Sequence, residues 1–123
     1  MVTVPGFLLR RLYVKKSLRN RPEGFEFQLN NSLGSGYAYE LLPITVDGTA
    51  RPMESASFEL EGSQTAFSEV SKENTFTLAM NKAITILVAG KRLDPGPRKI
   101  GMGFKVPGLG TLQFDFTDEI ADE

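Results

Sequence analysis

Cysteine, histidine and tryptophan are all absent from the 123 residues. No disulfide can form, and no zinc site built from nitrogen and sulfur ligands is available. A Ser–His–Asp triad or a Cys–His pair is excluded together with the imidazole. An excess of one charge is also missing. Fourteen Lys and Arg face fifteen Asp and Glu, a net charge of −1, so the overall field marks neither nucleic acid nor an anionic membrane as a partner. No run approaches the ~18 apolar residues of a membrane-spanning helix. Near the N-terminus only Phe7, Leu8 and Leu9 precede Arg10 and Arg11, whereas a secretory leader puts its positive charge before a longer apolar stretch. A cytoplasmic protein is expected.

What the chain does contain is alternation. At 41% hydrophobic and 24% charged residues it has a globular composition, and its length suits one domain spanning 1–123. Phe25, Phe27 and Leu29 alternate with polar neighbours, as do Phe76 and Leu78, then Ile84, Ile86 and Val88. Ile100, Met102 and Phe104 follow the same rule, and Leu112, Phe114 and Phe116 repeat it. A period of two places one set of side chains on a buried face of a strand and the other on a solvated face. A first strand is expected over about Leu9–Arg19, a second over Gly24–Asn31 and a third over Tyr37–Val46. In the third, the buried set changes phase from Tyr37, Tyr39 and Leu41 to Leu42, Ile44 and Val46, which with Pro43 predicts a β-bulge or an edge position. Asp47-Gly48 predicts a two-residue hairpin, because both central residues of such a turn need positive φ. The one helical candidate, Ser68–Asn74, reads as a single turn, and the acidic tail 118–123 is expected to fray.

Eight to ten short strands cut by turns at such intervals predict an all-β, antiparallel two-sheet sandwich of immunoglobulin-like character. A partly open β-barrel would show the same alternation. The predicted core adds Leu12, Val14, Leu18, Ile44, Val46, Phe58 and Leu60 to the alternating residues of the strands at 25–29, 76–78, 84–88, 100–104 and 112–116.

The stretch from Leu12 to Asn20, the strand Gly24-Phe25-Glu26-Phe27 and the later Val46-Asp47-Gly48 and Leu93-Asp94-Pro95-Gly96 together resemble a family of small archaeal β-sandwich proteins. The resemblance spans nearly the whole chain, and its motifs are strands and turns, so it implies fold rather than chemistry. Gly96 to Ile100 is similar to the penultimate hairpin of immunoglobulin-like sandwiches. Some members of the resembled family bear the name hydroxymethylglutaryl-CoA reductase. Such reductases resemble chains several times longer, with a catalytic histidine and a nicotinamide site. The present residues supply neither.

Other candidate chemistries are sparse. Glu59 and Glu61 would share a strand face, a placement that needs no acid–base role. Asp115, Asp118 and Glu119 could offer oxygen ligands, but their spacing matches no ordered metal loop. Gly101-Met102-Gly103 and Gly108-Leu109-Gly110 lack the helix that a phosphate cradle requires. Lys16 and Ser17 would point to opposite faces of a strand, which rules out a local dyad. No catalytic residue, cofactor or metal is expected.

Two surfaces remain as interaction candidates. Gly101 and Gly103 fall on the outward face of a strand between Lys99 and Lys105, where a bare strip would let another backbone or a flat ligand approach closely. The alternative is that a cross-strand aromatic, Tyr13, Tyr37 or Tyr39, lies over them. The second surface is basic. Residues 1–21 carry six basic and no acidic side chains, and 82–107 carry six basic and one acidic; 22–81 and 108–123 are acidic. These blocks can cancel across strands, the default expectation, or gather Arg11, Lys15 and Arg19 into a basic face with Tyr13 as its aromatic. The expectation is a non-catalytic interaction or structural module with a protein partner or a second copy of itself. Neither nucleic acid nor a membrane is expected as a partner. A nucleic-acid-binding β domain using the basic face, or an enzyme working without His, Cys or a nucleotide loop, are the alternatives.

Overall fold

The computed structural model describes residues 6–31, 36–78 and 82–120. Its strands are β1 (Arg19–Arg21), β2 (Gly24–Asn30), β3 (Gly36–Ala38), β4 (Glu40–Leu41), β5 (Thr45–Val46) and β6 (Thr49–Ala50). They continue with β7 (Ala56–Leu60), β8 (Ser63–Ala66), β9 (Phe76–Leu78), β10 (Ala83–Ala89), β11 (Pro97–Val106) and β12 (Gly110–Glu119). One sheet runs β1-β2-β10-β7-β8 and the other β12-β11-β5-β6, with β4 also on β11 and β3 paired separately with β9. Every pairing is antiparallel. Neither sheet closes on itself, so the architecture is the sandwich and not the barrel.

The alternation puts the core between the sheets. Phe25, Phe27 and Leu29 on β2 are fully buried, as are Ile84 and Ile86 on the adjacent β10. The inward set of β11 and β12 faces them, and Phe27 meets Phe116 edge to face at 5.2 Å. Phe58 packs on Phe76 at 4.8 Å. Fully burying side chains of this size contributes roughly 1.5–3 kcal/mol each, which is the main force holding the two layers together. Val14, Val46 and Leu60 of the predicted core are only half-buried, and the Leu78 side chain lies outside the described residues.

The first strand is where expectation and fold part. Gly6–Leu9 forms an α-helical turn (α1), Arg10–Leu12 a 3-10 turn, and the chain bridges Leu29 only at Tyr13 before β1 begins at Arg19. Leu9, Leu12 and Tyr13, spaced i, i+3 and i+4, are all buried. That is helical periodicity, and a strand would have turned Tyr13 away from the core. Lys16 then reverses the chain at φ 69°.

The third strand breaks into β3, β4 and β5. Leu41 and Thr45 are four positions apart, whereas their partners Phe104 and Gly101 are three apart. The extra residue is the predicted bulge, placed at 42–44 around Pro43. The buried residues are Ala38, Leu41 and Ile44, while Tyr37 stands out at 49% exposure and Tyr39 is half-buried. Asp47 and Gly48 both take positive φ, as a two-residue hairpin requires. Glu61 does the same in the β7–β8 turn, so it shares no strand face with Glu59. The helical candidate is one 3-10 turn, Phe67–Glu69. Asp118 and Glu119, expected to fray, remain inside β12; 121–123 lie outside the described residues. Among the described residues, no helix is long and apolar enough to cross a membrane.

Candidate functional site

The outward face of β11 forms the first site. Gly101 and Gly103 sit on the floor of an open trough of about 730 Å³, with Leu42, Pro43 and Thr45 along one side and Gln113 and Asp115 along the other. Cross-strand register explains this gathering, because Gly101 lies between Thr45 and Asp115 while Gly103 lies opposite Gln113. The glycines are covered, but by no tyrosine. The Thr45 hydroxyl occupies the place where a Cβ on Gly101 would stand, and a Cβ on Gly103 would lie 2.8 Å from Leu42 Cδ1 and 3.1 Å from Gln113 Cγ. Tyr13 instead joins the core, Tyr39 lies under the Lys72 ammonium, and Tyr37 is exposed on β3. Lys99 belongs to the trough and reaches Asp115 at 3.8 Å. Lys105 stands outside it, paired with Glu40 at 3.4 Å.

Asp47 fixes one end of the trough. Its carboxylate accepts from the Lys99 backbone N–H at 3.0 Å and from Arg98 Nη1 at 3.1 Å. These donors, the backbone one foremost and with Arg98's charge, outweigh the slight cost of desolvation and hold the carboxyl below its usual range.

A second pocket, of about 700 Å³, opens where the N-terminal turns cross β12. Arg10, Arg11, Tyr13, Lys15, Lys16, Phe116, Thr117 and Asp118 line it. Arg11, Lys15 and Tyr13 of the predicted basic surface therefore do come together, through a turn and not through strand periodicity. Arg19 does not join them; it lies exposed on β1, opposite Glu26. The Tyr13 ring stacks on Phe116 with centroids 3.6 Å apart and planes 9° from parallel. Its hydroxyl donates to Asp118 Oδ2 at 2.8 Å and accepts from the Leu18 N–H at 3.2 Å. Burial foremost, then the hydrogen bond to Asp118 and that carboxylate's charge, push the phenol up to about 12. For Asp118, burial pulls upward. Donation from the Lys16 N–H, the Tyr13 hydroxyl and the Glu119 N–H, with the Lys16 charge, outweighs it and holds the carboxyl below its usual range.

The charge blocks largely cancel. Arg10 joins Asp115, pairing the first block with the last, while Arg98–Asp47, Lys105–Glu40 and Lys82–Glu61 pair the third with the second. The acidic trio Asp115, Asp118 and Glu119 is pulled apart, since Asp115 turns to Arg10 and Lys99 and Asp118 to Tyr13. Among the described residues no group of three or more acidic side chains could hold a metal ion. Sequence reasoning missed Leu42, Thr45 and Gln113 in the trough and Lys16, Thr117 and Asp118 in the pocket. The i, i+3, i+4 spacing of Leu9, Leu12 and Tyr13 was the signal that could have placed the N-terminal turns.

Residues 8–121 match the family described as "Hydroxymethylglutaryl-CoA reductase, N-terminal domain". No curated protein matches the chain.

Proposed function

The chain belongs to the hydroxymethylglutaryl-CoA reductase N-terminal domain family, and from that premise we propose that it is a non-catalytic interaction module whose β11 trough docks the catalytic part of such a reductase. The reductase name borne by resembled relatives is thus the family's own, and what it names here is the N-terminal domain. The observation that carries the reading is the trough. Thr45, Leu42 and Gln113 fold over the two glycines of its floor, and Thr45, Gln113, Asp115 and Lys99 offer donors and acceptors along its sides. A polar, contoured surface of this kind suits a protein partner better than it suits bond-breaking.

The electrostatics support the same conclusion. General acid–base catalysis wants a group whose pKa lies near the working pH. Among the described residues, the three groups whose protonation the fold clearly moves, Tyr13, Asp47 and Asp118, all move away from neutrality. They serve structure.

Two measurements test the proposal. The chain alone, given hydroxymethylglutaryl-CoA and a reduced nicotinamide cofactor, is expected to show no oxidation of that cofactor; turnover would overturn the non-catalytic reading. In calorimetry against a reductase catalytic chain from the same source, Gln113→Arg is expected to abolish binding by placing a large charged group in the trough. Binding that survives this substitution, in a variant with an unchanged far-ultraviolet spectrum, would remove the trough from the function.

A further inference from the structure

Beyond the docking trough, the pocket between the N-terminal turns and β12 concentrates positive charge, with Asp118 as the one carboxylate in its lining and only Lys16 acting on it. Arg11, Lys15 and Lys16 line it, and none of them makes an ion pair with a described carboxylate. Gathering three cations costs self-repulsion. Asp118 in the lining and Asp115 on the same strand are already engaged. Asp115 meets Arg10 at 3.4 Å and Lys99 at 3.8 Å, and Asp118 accepts from the Tyr13 hydroxyl, the Lys16 N–H and the Glu119 N–H.

Lys16 adds a second observation. It holds a left-handed backbone at φ 69°, costly for a side chain of its size, and that conformation turns its N–H onto Asp118 Oδ2 at 2.9 Å. The turn thereby anchors Lys15 and Lys16 beside β12, where Thr117 lines the same pocket. A guanidinium fork, two ammonium groups and a hydroxyl are the donor set a tetrahedral phosphate uses.

We propose that this pocket binds the phosphate group of a small anionic ligand through Arg11, Lys15, Lys16 and Thr117. The geometry favours a small ligand over a nucleic acid strand. Binding of single strands relies on exposed aromatic faces for base stacking. Tyr13, the aromatic of this surface, is 8% exposed, with one ring face against Phe116 and an edge contact to Phe27 at 6.2 Å. Arg19, which would extend a track for a phosphate backbone, lies outside the pocket.

The test is a titration of the nitrogen-labelled protein with inorganic pyrophosphate at low salt, followed by amide resonances and by calorimetry. The expected result is submillimolar binding that moves the resonances of Lys15, Lys16 and Thr117. Lys15→Glu/Lys16→Glu should weaken it by about tenfold or more, as loss of charge-assisted bonds requires. Arg11→Gln/Lys15→Gln, which leaves the strained residue Lys16 in place, should weaken it in the same direction if the first variant misfolds. Lys91→Gln, an exposed lysine remote from the pocket, should leave it unchanged. Absence of binding, or equal weakening by Lys91→Gln, would overturn the proposal. So would tighter binding of a short single-stranded oligonucleotide at the same residues, which would make the surface a nucleic-acid site. Gln113→Arg should not alter pyrophosphate binding, so failure here and failure of the docking proposal are distinguishable.

Discussion

Tyr13 ties the N-terminal turns to the sandwich with one side chain. Its ring fills the space over Phe116, and its hydroxyl sits between an acceptor on β12 and the Leu18 N–H. Tyr13→Phe keeps the ring and removes both hydrogen bonds. The expected loss is roughly 1.5–3 kcal/mol in chemical denaturation, the range for a bond to a charged group. The pH dependence has two limbs. Asp118 has a depressed folded pKa, so its contribution is present above the usual carboxylate value and fades as pH falls through the depressed one. Tyr13 is raised from 10.0 to about 12, so its contribution is complete below 10.0 and fades as pH climbs through about 12. Denaturation across pH should show the alkaline limb flattened in Tyr13→Phe. An unchanged limb would mean that the fold does not hold the Tyr13 phenol protonated.

Among the elements, β4 and β5 depend most on one irregularity. The bulge at 42–44 lets Leu41 and Ile44 both point inward, although they are three positions apart. Deleting Pro43 removes the extra residue and forces one of them out of the core, because a one-residue slip reverses every side chain on a strand. The expected cost is about 2–5 kcal/mol, as for loss of a buried Leu or Ile, measured by denaturation. Gly103→Val probes the facing strand. With Leu42 Cδ1 and Gln113 Cγ standing 2.8 and 3.1 Å from the new Cβ, it should lose about 1–3 kcal/mol through overpacking. A neutral Gly103→Val would mean that the trough side chains yield freely. The phase change around Pro43 was legible from apolar positions alone. Its exact buried set was not, because Tyr37 and Tyr39 are as apolar as core residues on paper and β3 pairs with β9 instead of following β4 onto β11.

The whole molecule is a sandwich in which helix is confined to short turns among the described residues, so its far-ultraviolet spectrum should show less than about a quarter helix, below the ordinary average. A larger helical signal would contradict the architecture. Strand existence, the inward sets of β2, β10, β11 and β12 and the Asp47-Gly48 turn were readable from the chain. They depend on side-chain alternation and on φ preferences of adjacent residues, which any local window contains. The excluded chemistries were readable too, since a missing imidazole or thiol is missing in every fold. The trough and the basic pocket were readable only in fragments: Gly101, Gly103 and Lys99 for one, Arg11, Lys15 and Tyr13 for the other. Their remaining walls come from other strands, and the bonds that close the pocket, Arg10 to Asp115 and Tyr13 to Asp118, each join residues 105 positions apart. Such contacts follow from how two twisted sheets stack and where the chain enters them, a balance of packing over the entire core that no local pattern encodes.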